Sequence, residues 1–234
     1  MTDLSSTLPR SLAHVTDWVF DLDNTLYPRQ CNLFAQIDLR ITDYVMSITQ
    51  LPHTEARALQ KRYYREFGTT LNGLMHQHEI DPLHFLGTVH NIDYSPVDAH
   101  PDLVTALRTL PGRKFILTNG DVPHAEAVLK RVGASGLFEG IYDICAMSYR
   151  PKPLPEAYDG FLRQHGIDPT RAAMFDDLEK NLKVPHEIGM TTVQVVAGPD
   201  FAHDQVEAWE LDQTVGDHVH HTTDDLASFL TRVV

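Results

Sequence analysis

The spacing of short apolar segments is the feature that most limits the fold of this chain. One such segment, residues 15–23 (VTDWVFDLD), ends in acidic residues; four more follow later, separated by helix-compatible stretches: Phe115–Thr118, Ile141–Ala146, Ala172–Phe175 and Thr192–Val196. Apolar runs of strand length that alternate with helices predict right-handed βαβ units around a parallel sheet. We therefore expect an α/β fold whose core is a Rossmann-like, doubly wound parallel sheet.

A long helical stretch separates the first predicted strand from the others. Between Cys31 and His90 the apolar residues recur at helical spacing, and no strand pattern interrupts them. This arrangement predicts a core made of residues 1–27 and 96–234, with an inserted helical-bundle cap at 28–95. Pro28 and the Ser95-Pro96 pair are the expected hinges. A last helix is expected to start at Thr222 or Thr223.

The charge balance excludes several classes of partner. The 234 residues include 19 basic and 32 acidic side chains, for a net charge of −13. Such a charge repels nucleic acid polymers and anionic membrane surfaces. No apolar run suits a signal peptide or a membrane span, so we expect a cytoplasmic protein. The two cysteines, Cys31 and Cys145, lie in different segments and support neither a disulfide nor a cysteine metal site.

Acidic and polar residues follow the predicted strands at the end where open parallel sheets bind ligands. The set comprises Asp21 and Asp23 after the first strand, Thr118 and Asn119 after the second, Lys152 beyond the third, and Asp176 and Asp177 after the fourth. Four gathered carboxylates repel one another unless a cation and the lysine compensate them. Because the ligands are all oxygen atoms, the expected cation is Mg²⁺, held by Asp21, Asp176 and the main-chain carbonyl of Asp23.

Phosphoryl transfer through an aspartyl-phosphate is the chemistry that suits this set. Asp21 is the expected nucleophile, and Asp23 is expected to protonate the leaving oxygen and later deprotonate the attacking water. An acid in this role needs a raised pKa, which a neighbouring carboxylate and partial burial both favour. Thr118, Asn119 and Lys152 are expected to hold the phosphate oxygens.

These residues carry a resemblance to a known family. The strings Asp21-Leu22-Asp23-Asn24-Thr25, Thr118-Asn119-Gly120, Lys152-Pro153-Leu154-Pro155 and Phe175-Asp176-Asp177 resemble the four ordered motifs of haloacid dehalogenase (HAD) superfamily phosphatases. The cap segments 67–74 (FGTTLNGL) and 90–94 (HNIDY) are similar to the pyrimidine 5′-nucleotidase branch. The resemblance implies a magnesium-dependent phosphomonoesterase with a mobile helical cap, and it gives Asp21, Asp23, Thr118, Lys152 and Asp176 the same roles. Leu178 departs from it, because relatives often carry serine there.

The function expected from the motifs is hydrolysis of a pyrimidine nucleoside monophosphate such as UMP or CMP. A sugar- or glycolate-phosphate phosphatase, a 2-haloacid dehalogenase and a catalytically silent binding protein are the alternatives. Asp177 and Asn181 are weaker candidates near the metal, and Tyr64, Phe67 and Asn72 are candidate substrate contacts in the cap. The histidines at 218, 220 and 221 are expected to belong to a surface strand rather than a zinc site.

Overall fold

The sheet has the predicted parallel, doubly wound architecture. The computed structural model describes residues 12–198 and 215–233. Its strands pair in the order β3-β2-β1-β4-β5-β6, and every pair is parallel. The strands are β1 (Asp17–Phe20), β2 (Arg113–Leu117), β3 (Gly140–Tyr142), β4 (Ala172–Asp176), β5 (Thr191–Val195) and β6 (His221–Thr223). Strand order reverses at β1, so the ends of β1 and β4 border the crevice where this fold binds ligands.

The helices are numbered in chain order. They are α1 (Leu33–Thr49), α2 (His53–Phe67), α3 (Thr70–His78), α4 (Pro82–Val89), α5 (Pro101–Thr109), α6 (Val122–Val132), α7 (Pro155–His165), α8 (Lys183–Glu187) and α9 (Leu226–Arg232). Short 3-10 turns lie at Arg29–Cys31, Pro169–Arg171 and Glu179–Leu182. As expected, the stretch from Cys31 to His90 contains helices and no strand.

Two predicted boundaries differ most from the structure, and a side-chain carboxylate explains each. The third strand stops at Tyr142 because Asp143 accepts hydrogen bonds from the main-chain N–H groups of Val122 and Ala146, which starts a turn. Helix α9 begins at Leu226 rather than at 222 or 223, because Asp225 caps it by accepting from the N–H of Ser228. Thr222 and Thr223 belong to β6 instead.

The central strand β1 is buried on both faces of the sheet. Trp18 and Phe20 belong to one apolar cluster and Val19 to the other, as the alternation of side chains along a strand requires. Phe20 stacks on Phe175 of β4, with ring centroids 4.7 Å apart. This packing fixes the positions at which β1 and β4 deliver the acidic residues that follow them.

Helices α1 to α4 pack around a third apolar cluster of their own. It contains Ile37, Tyr44, Tyr63 and Leu74, and the core contributes Ile144 from the turn after β3. Separate clusters agree with an inserted cap, while the division at residues 28 and 95 and the hinges remain predictions. Across the described ranges, the helices all lack the combination of length and apolar composition needed to cross a bilayer.

Candidate active site

A buried ion-pair network joins the ends of β1 and β4. Asp21 continues the strand pairing, since its N–H donates to the carbonyl of Phe175 at 2.8 Å. The Nζ atom of Lys152 lies 2.7 Å from Asp21 Oδ1 and 2.7 Å from Asp176 Oδ2. All three side chains are buried, and Lys152 is only 3% exposed. The lysine thus lies between the predicted nucleophile and a predicted metal ligand and compensates part of their charge.

Burial controls the protonation of this network. It raises the pKa of Asp21 well above the ordinary value; the positive charge of Lys152 opposes the change, and Asp176, Asp177 and Asp23 add to it. Burial alone lowers the pKa of Lys152, but Asp176 and Asp21 outweigh burial and raise it. Lys152 therefore keeps its charge, and further positive charge near Asp21 would lower the pKa of this carboxyl again.

Asp177 has a cationic partner that sequence reasoning missed. Arg29, in the turn before α1, places Nη2 2.8 Å from Asp177 Oδ2, and both side chains are less than a tenth exposed. Burial and the charge of Asp176 raise the pKa of Asp177 to about 7, against the opposing charges of Arg29 and Lys152. The only local signal was a single arginine close to the first acidic motif.

The acid cluster fits a hard divalent cation. Asp21, Asp176 and Asp177 each offer a carboxylate oxygen, and these atoms lie within 4.8 Å of one another. Asp176 Oδ1 accepts from the main-chain N–H of Leu178 and from Asn181 Nδ2, at 3.0 and 2.9 Å. Asn181 Oδ1 is buried and has no hydrogen-bond partner within the described residues, which suits a water molecule on a bound ion. Oxygen donors of this kind match Mg²⁺.

Leucine at position 178, where relatives often carry serine, leaves the contact with Asp176 intact. The interaction with Asp176 comes from the main-chain N–H of residue 178, which any side chain except proline leaves available. The leucine side chain faces the cavity instead. Asp177, ranked below Asp176 from the sequence, belongs to the carboxylate trio, while the Asp23 carboxylate does not.

Magnesium affinity is expected to fall as the pH drops from 8 to 6. Cation binding needs deprotonated carboxylates, while Asp177 has a pKa of about 7 and the pKa of Asp21 is also raised. Each proton that must leave weakens binding by up to about tenfold per pH unit. Calorimetric titration with Mg²⁺ at several pH values measures the slope. An Asp177→Asn variant should bind more weakly with a flatter slope; equal slopes in both proteins would contradict this assignment.

The expectation of a raised pKa for Asp23 is wrong. Burial acts in that direction, but the charge of His124 and hydrogen bonds from His124 and Tyr27 outweigh it, and the pKa falls to about 2. His124 Nε2 lies 2.8 Å from Asp23 Oδ1, and the Tyr27 hydroxyl donates to the same oxygen at 2.6 Å. Asp23 is therefore a carboxylate in the resting protein, because its nearest partners are donors and not another acid.

Thr118 and Asn119 lie at the end of β2, on the same rim. The Oγ1 atom of buried Thr118 accepts from the N–H of Gly120 at 3.0 Å. The Asn119 side chain bonds the main chain of Lys152 twice: its Oδ1 accepts from the N–H at 2.8 Å and its Nδ2 donates to the carbonyl at 3.1 Å. The Asn119 side chain thus holds Lys152 in place. The group of Asn119 expected to contact a phosphate is therefore its main-chain N–H.

A cavity of about 200 Å³ opens between this rim and helices α1 to α4. The rim contributes Asp21, Asp23, Thr118, Asn119 and Lys152, and the helical side is largely apolar: Phe34, Ile37, Ile41, Leu71, Phe85, Leu86 and Val89. A larger cavity of about 730 Å³, beside α9, contains none of the rim acids.

The three predicted cap contacts differ in position. Tyr64 lines the cavity, and its hydroxyl accepts from Lys180 Nζ at 2.6 Å. Phe67 packs against Tyr63 with ring centroids 5.8 Å apart, and Asn72 Nδ2 donates to the carbonyl of Phe67. Neither Phe67 nor Asn72 lines the cavity, so their expected substrate contacts are not supported. Both residues make contacts within the α2–α3 pair instead.

The histidines near the C-terminus have structural partners. His221 begins β6, His220 Nδ1 lies 2.8 Å from Thr192 Oγ1, and His218 Nε2 lies 2.9 Å from Glu179 Oε1. Among the described residues, the acid trio is the one group of three or more side chains placed to share an ion. The two cysteines are unpaired and partly buried.

Comparisons with known proteins place this geometry in a family. Residues 19–189 match the model of the haloacid dehalogenase-like hydrolases. Phosphate metabolism protein 8 of Saccharomyces cerevisiae is 28% identical over 194 residues, which cover 73% of this chain and 58% of that protein. The chain thus spans a little over half the length of this relative.

Solved structures share the fold. The L-2-haloacid dehalogenase from Xanthobacter autotrophicus has a TM-score of 0.57 at 16% identity, over 94% of this chain and 98% of that one. The HAD-hydrolase YfnB from Bacillus subtilis, bound to magnesium, has a TM-score of 0.55 at 13% identity over the same shares. Because the family model covers most of the chain, and includes the ends of β1, β2 and β4 and Lys152, the protein belongs to the haloacid dehalogenase-like hydrolases.

Proposed function

We propose that this hydrolase cleaves phosphomonoesters, with Mg²⁺, through an aspartyl-phosphate on Asp21. The observation that carries the proposal is the contact of Lys152 with both Asp21 and Asp176 at the floor of the cavity. A carboxylate that attacks a phosphate faces charge repulsion, and a buried lysine beside it reduces that repulsion. A bound magnesium ion would supply Lewis-acid stabilisation of the transferring phosphoryl oxygens.

The residues of the chain have separate tasks in this reaction. An Asp21 oxygen bonds to phosphorus while the ester P–O bond breaks, and the leaving oxygen takes a proton from Asp23. Asp23 then takes a proton from the water that releases phosphate from Asp21. Because Asp23 is ionised in the resting site, its proton must arrive after the substrate, whose negative charge raises the pKa of this carboxyl again.

The cavity favours a nucleoside monophosphate over a sugar phosphate. Its helical wall presents mainly aliphatic and phenyl groups, with Tyr64, Thr69 and His90 among the polar exceptions. A polyhydroxylated sugar against this wall would lose hydrogen bonds to water without replacement, whereas a flat base can pack on it. We therefore propose pyrimidine nucleoside monophosphates as the substrate class, with sugar or glycolate phosphates as the alternative.

A substrate panel tests this assignment. With Mg²⁺ present, kcat/KM for UMP and CMP is expected to exceed the values for glucose 6-phosphate and phosphoglycolate by at least about tenfold, the size of a modest difference in pocket contacts. The measurement is release of inorganic phosphate. The opposite preference would contradict the pyrimidine assignment but not the phosphatase reaction.

Two further assays separate the other classes. Chloride release from a 2-haloacid in excess chelator would contradict the phosphatase proposal, since dehalogenation by Asp21 needs neither a second acid nor a cation. Absence of phosphate release from any ester, with and without Mg²⁺, would favour a silent binding protein. Against that reading, an unused buried cluster of carboxylates would cost stability without compensation.

A further inference from the structure

His124, which the proposed chemistry does not use, is buried directly behind Asp23. The residue lies in the first turn of α6 and is 1% exposed. Its Nε2 lies 2.8 Å from Asp23 Oδ1, and its Nδ1 lies 2.9 Å from the hydroxyl oxygen of Tyr94. That hydroxyl also donates to the carbonyl of His90 at 2.9 Å. Both ring nitrogens of His124 therefore have fixed neighbours.

Further contacts surround the His124 ring and its main chain. The ring of His90 stacks on it with centroids 4.5 Å apart and an interplanar angle of 17°. Asp121 Oδ1 accepts from the main-chain N–H of His124 at 3.0 Å and lies 2.9 Å from His90 Nδ1. A buried imidazole enclosed in this way is a rigid support for the carboxylate that it contacts.

The contacts on Asp23 are asymmetric. Both His124 and Tyr27 reach Oδ1, whereas Oδ2 makes no hydrogen bond with any residue that the structure describes. A Cβ atom placed on Gly120 would lie 3.8 Å from Asp23 Oδ2 and 3.3 Å from Thr118 Oγ1. The same Cβ would lie 3.1 Å from the His124 ring, so only a residue without a side chain fits between this ring, Thr118 and the Oδ2 atom of Asp23.

We propose that His124, supported by Tyr94, is a positioning residue that holds Asp23 Oδ1 so that Oδ2 faces the leaving oxygen of the ester. The inference rests on the proposed phosphatase function and adds a residue to it. A carboxylate restrained through one oxygen loses rotational freedom that proton transfer would otherwise have to restrict. Removal of the support should therefore matter most for substrates whose leaving group needs a proton.

A matched pair of variants tests the proposal. His124→Leu removes the donor, whereas His124→Gln retains an amide N–H near the position of Nε2. For an alkyl ester that the wild type cleaves, UMP or glycerol 2-phosphate, kcat/KM should fall about 100-fold in His124→Leu and clearly less in His124→Gln. For p-nitrophenyl phosphate, whose leaving group departs without a proton, the fall should stay below about tenfold. Equal losses for both esters would overturn the positioning role.

Tyr94→Phe provides a milder variant that preserves the shape of the buried ring. It should lower kcat/KM for the alkyl ester more than for p-nitrophenyl phosphate, in the same direction as His124→Leu and by a smaller factor. Thermal unfolding of each variant checks that the fold is intact. A larger loss on p-nitrophenyl phosphate than on the alkyl ester would overturn the role of Tyr94.

A spectroscopic readout separates this inference from the proposed function. In wild-type protein labelled with ¹⁵N-histidine, the Nε2–H proton of His124 should resonate far downfield, since it is bonded to a carboxylate. The signal should disappear in His124→Gln and shift in Asp23→Asn. Its absence from an active wild-type enzyme would overturn the positioning role alone. Its presence in a protein that cleaves no phosphate ester would overturn the proposed function and leave the contact established.

Discussion

The Asp21→Asn protein is expected to lose magnesium-dependent phosphatase turnover by at least about 10³-fold, because an amide oxygen cannot replace the attacking carboxylate. Folding should not suffer. Burial and three neighbouring acids raise the pKa of Asp21, so a neutral side chain of the same shape removes a repulsion from the metal-free protein. The measurements are kcat from phosphate release and the thermal unfolding temperature without metal, which should stay level or rise.

Asp159→Asn is the matched control for this variant. Asp159 is exposed on α7 and does not line the cavity, so the same chemical change there should leave kcat unaltered. A second arm locates the covalent step: wild-type enzyme quenched during turnover of a ³²P-labelled ester should carry the label on the peptide that contains Asp21. Wild-type turnover by Asp21→Asn, or label on a different peptide, would refute the nucleophile.

The Lys152→Met variant should lose both activity and stability. Its buried ammonium contacts Asp21 and Asp176, and without it two buried carboxylates lose their cationic partner. Breaking a buried ion pair by removing one partner costs about 3–5 kcal/mol of unfolding free energy. Turnover should fall at least about 100-fold, because the phosphoryl oxygens also lose a stabilising charge.

The stability loss in Lys152→Met should depend on pH in a defined direction. Without the lysine, the already raised pKa of Asp21 in the folded protein rises further, so the ionisation of Asp21 destabilises the fold. A group with a raised folded pKa stabilises below its unfolded pKa and loses that contribution as the pH rises through the folded value. Urea unfolding without metal should therefore show a larger deficit at pH 8 than at pH 5.

Lys130→Met is the control for the charge change itself. Lys130 is exposed in the last turn of α6, so its replacement should alter the unfolding free energy by only a few tenths of a kcal/mol at either pH. Suppose instead that Lys152→Met loses the same unfolding free energy at pH 5 and pH 8. Lost packing, and not the uncompensated negative charge of the buried acids, would then cause the destabilisation.

The rim of the site was predictable because its chemistry lies directly after apolar strands. Asp21 and Asp176 each come at the end of a buried hydrophobic run, and parallel strands carry their ends to one edge of the sheet. Periodicity does not tell which strands are neighbours. The adjacency of β1 and β4, which brings Lys152 between the two acids, comes from the three-dimensional pairing.

The partners of the acids were harder to predict, since they are distant in sequence. His124 is 101 residues from Asp23, and Arg29 is 148 residues from Asp177. No local pattern records such pairs. Besides its place in a segment that resembles the family, His124 lies on the buried face of α6, in line with Ala125, Val128 and Leu129, where a polar ring requires a partner. The wrong pKa for Asp23 followed directly from missing this neighbour.

Arg29 connects the entrance of the helical insertion to the acid trio. Its partner oxygen belongs to Asp177, so a cation that takes up this carboxylate competes with the guanidinium for the same negative charge. Thermodynamic reciprocity then holds in both directions. If ion binding weakens the contact between Arg29 and Asp177 by some factor, then that contact weakens ion binding by the same factor. The conformation of the turn before α1 would then depend on whether the ion is bound.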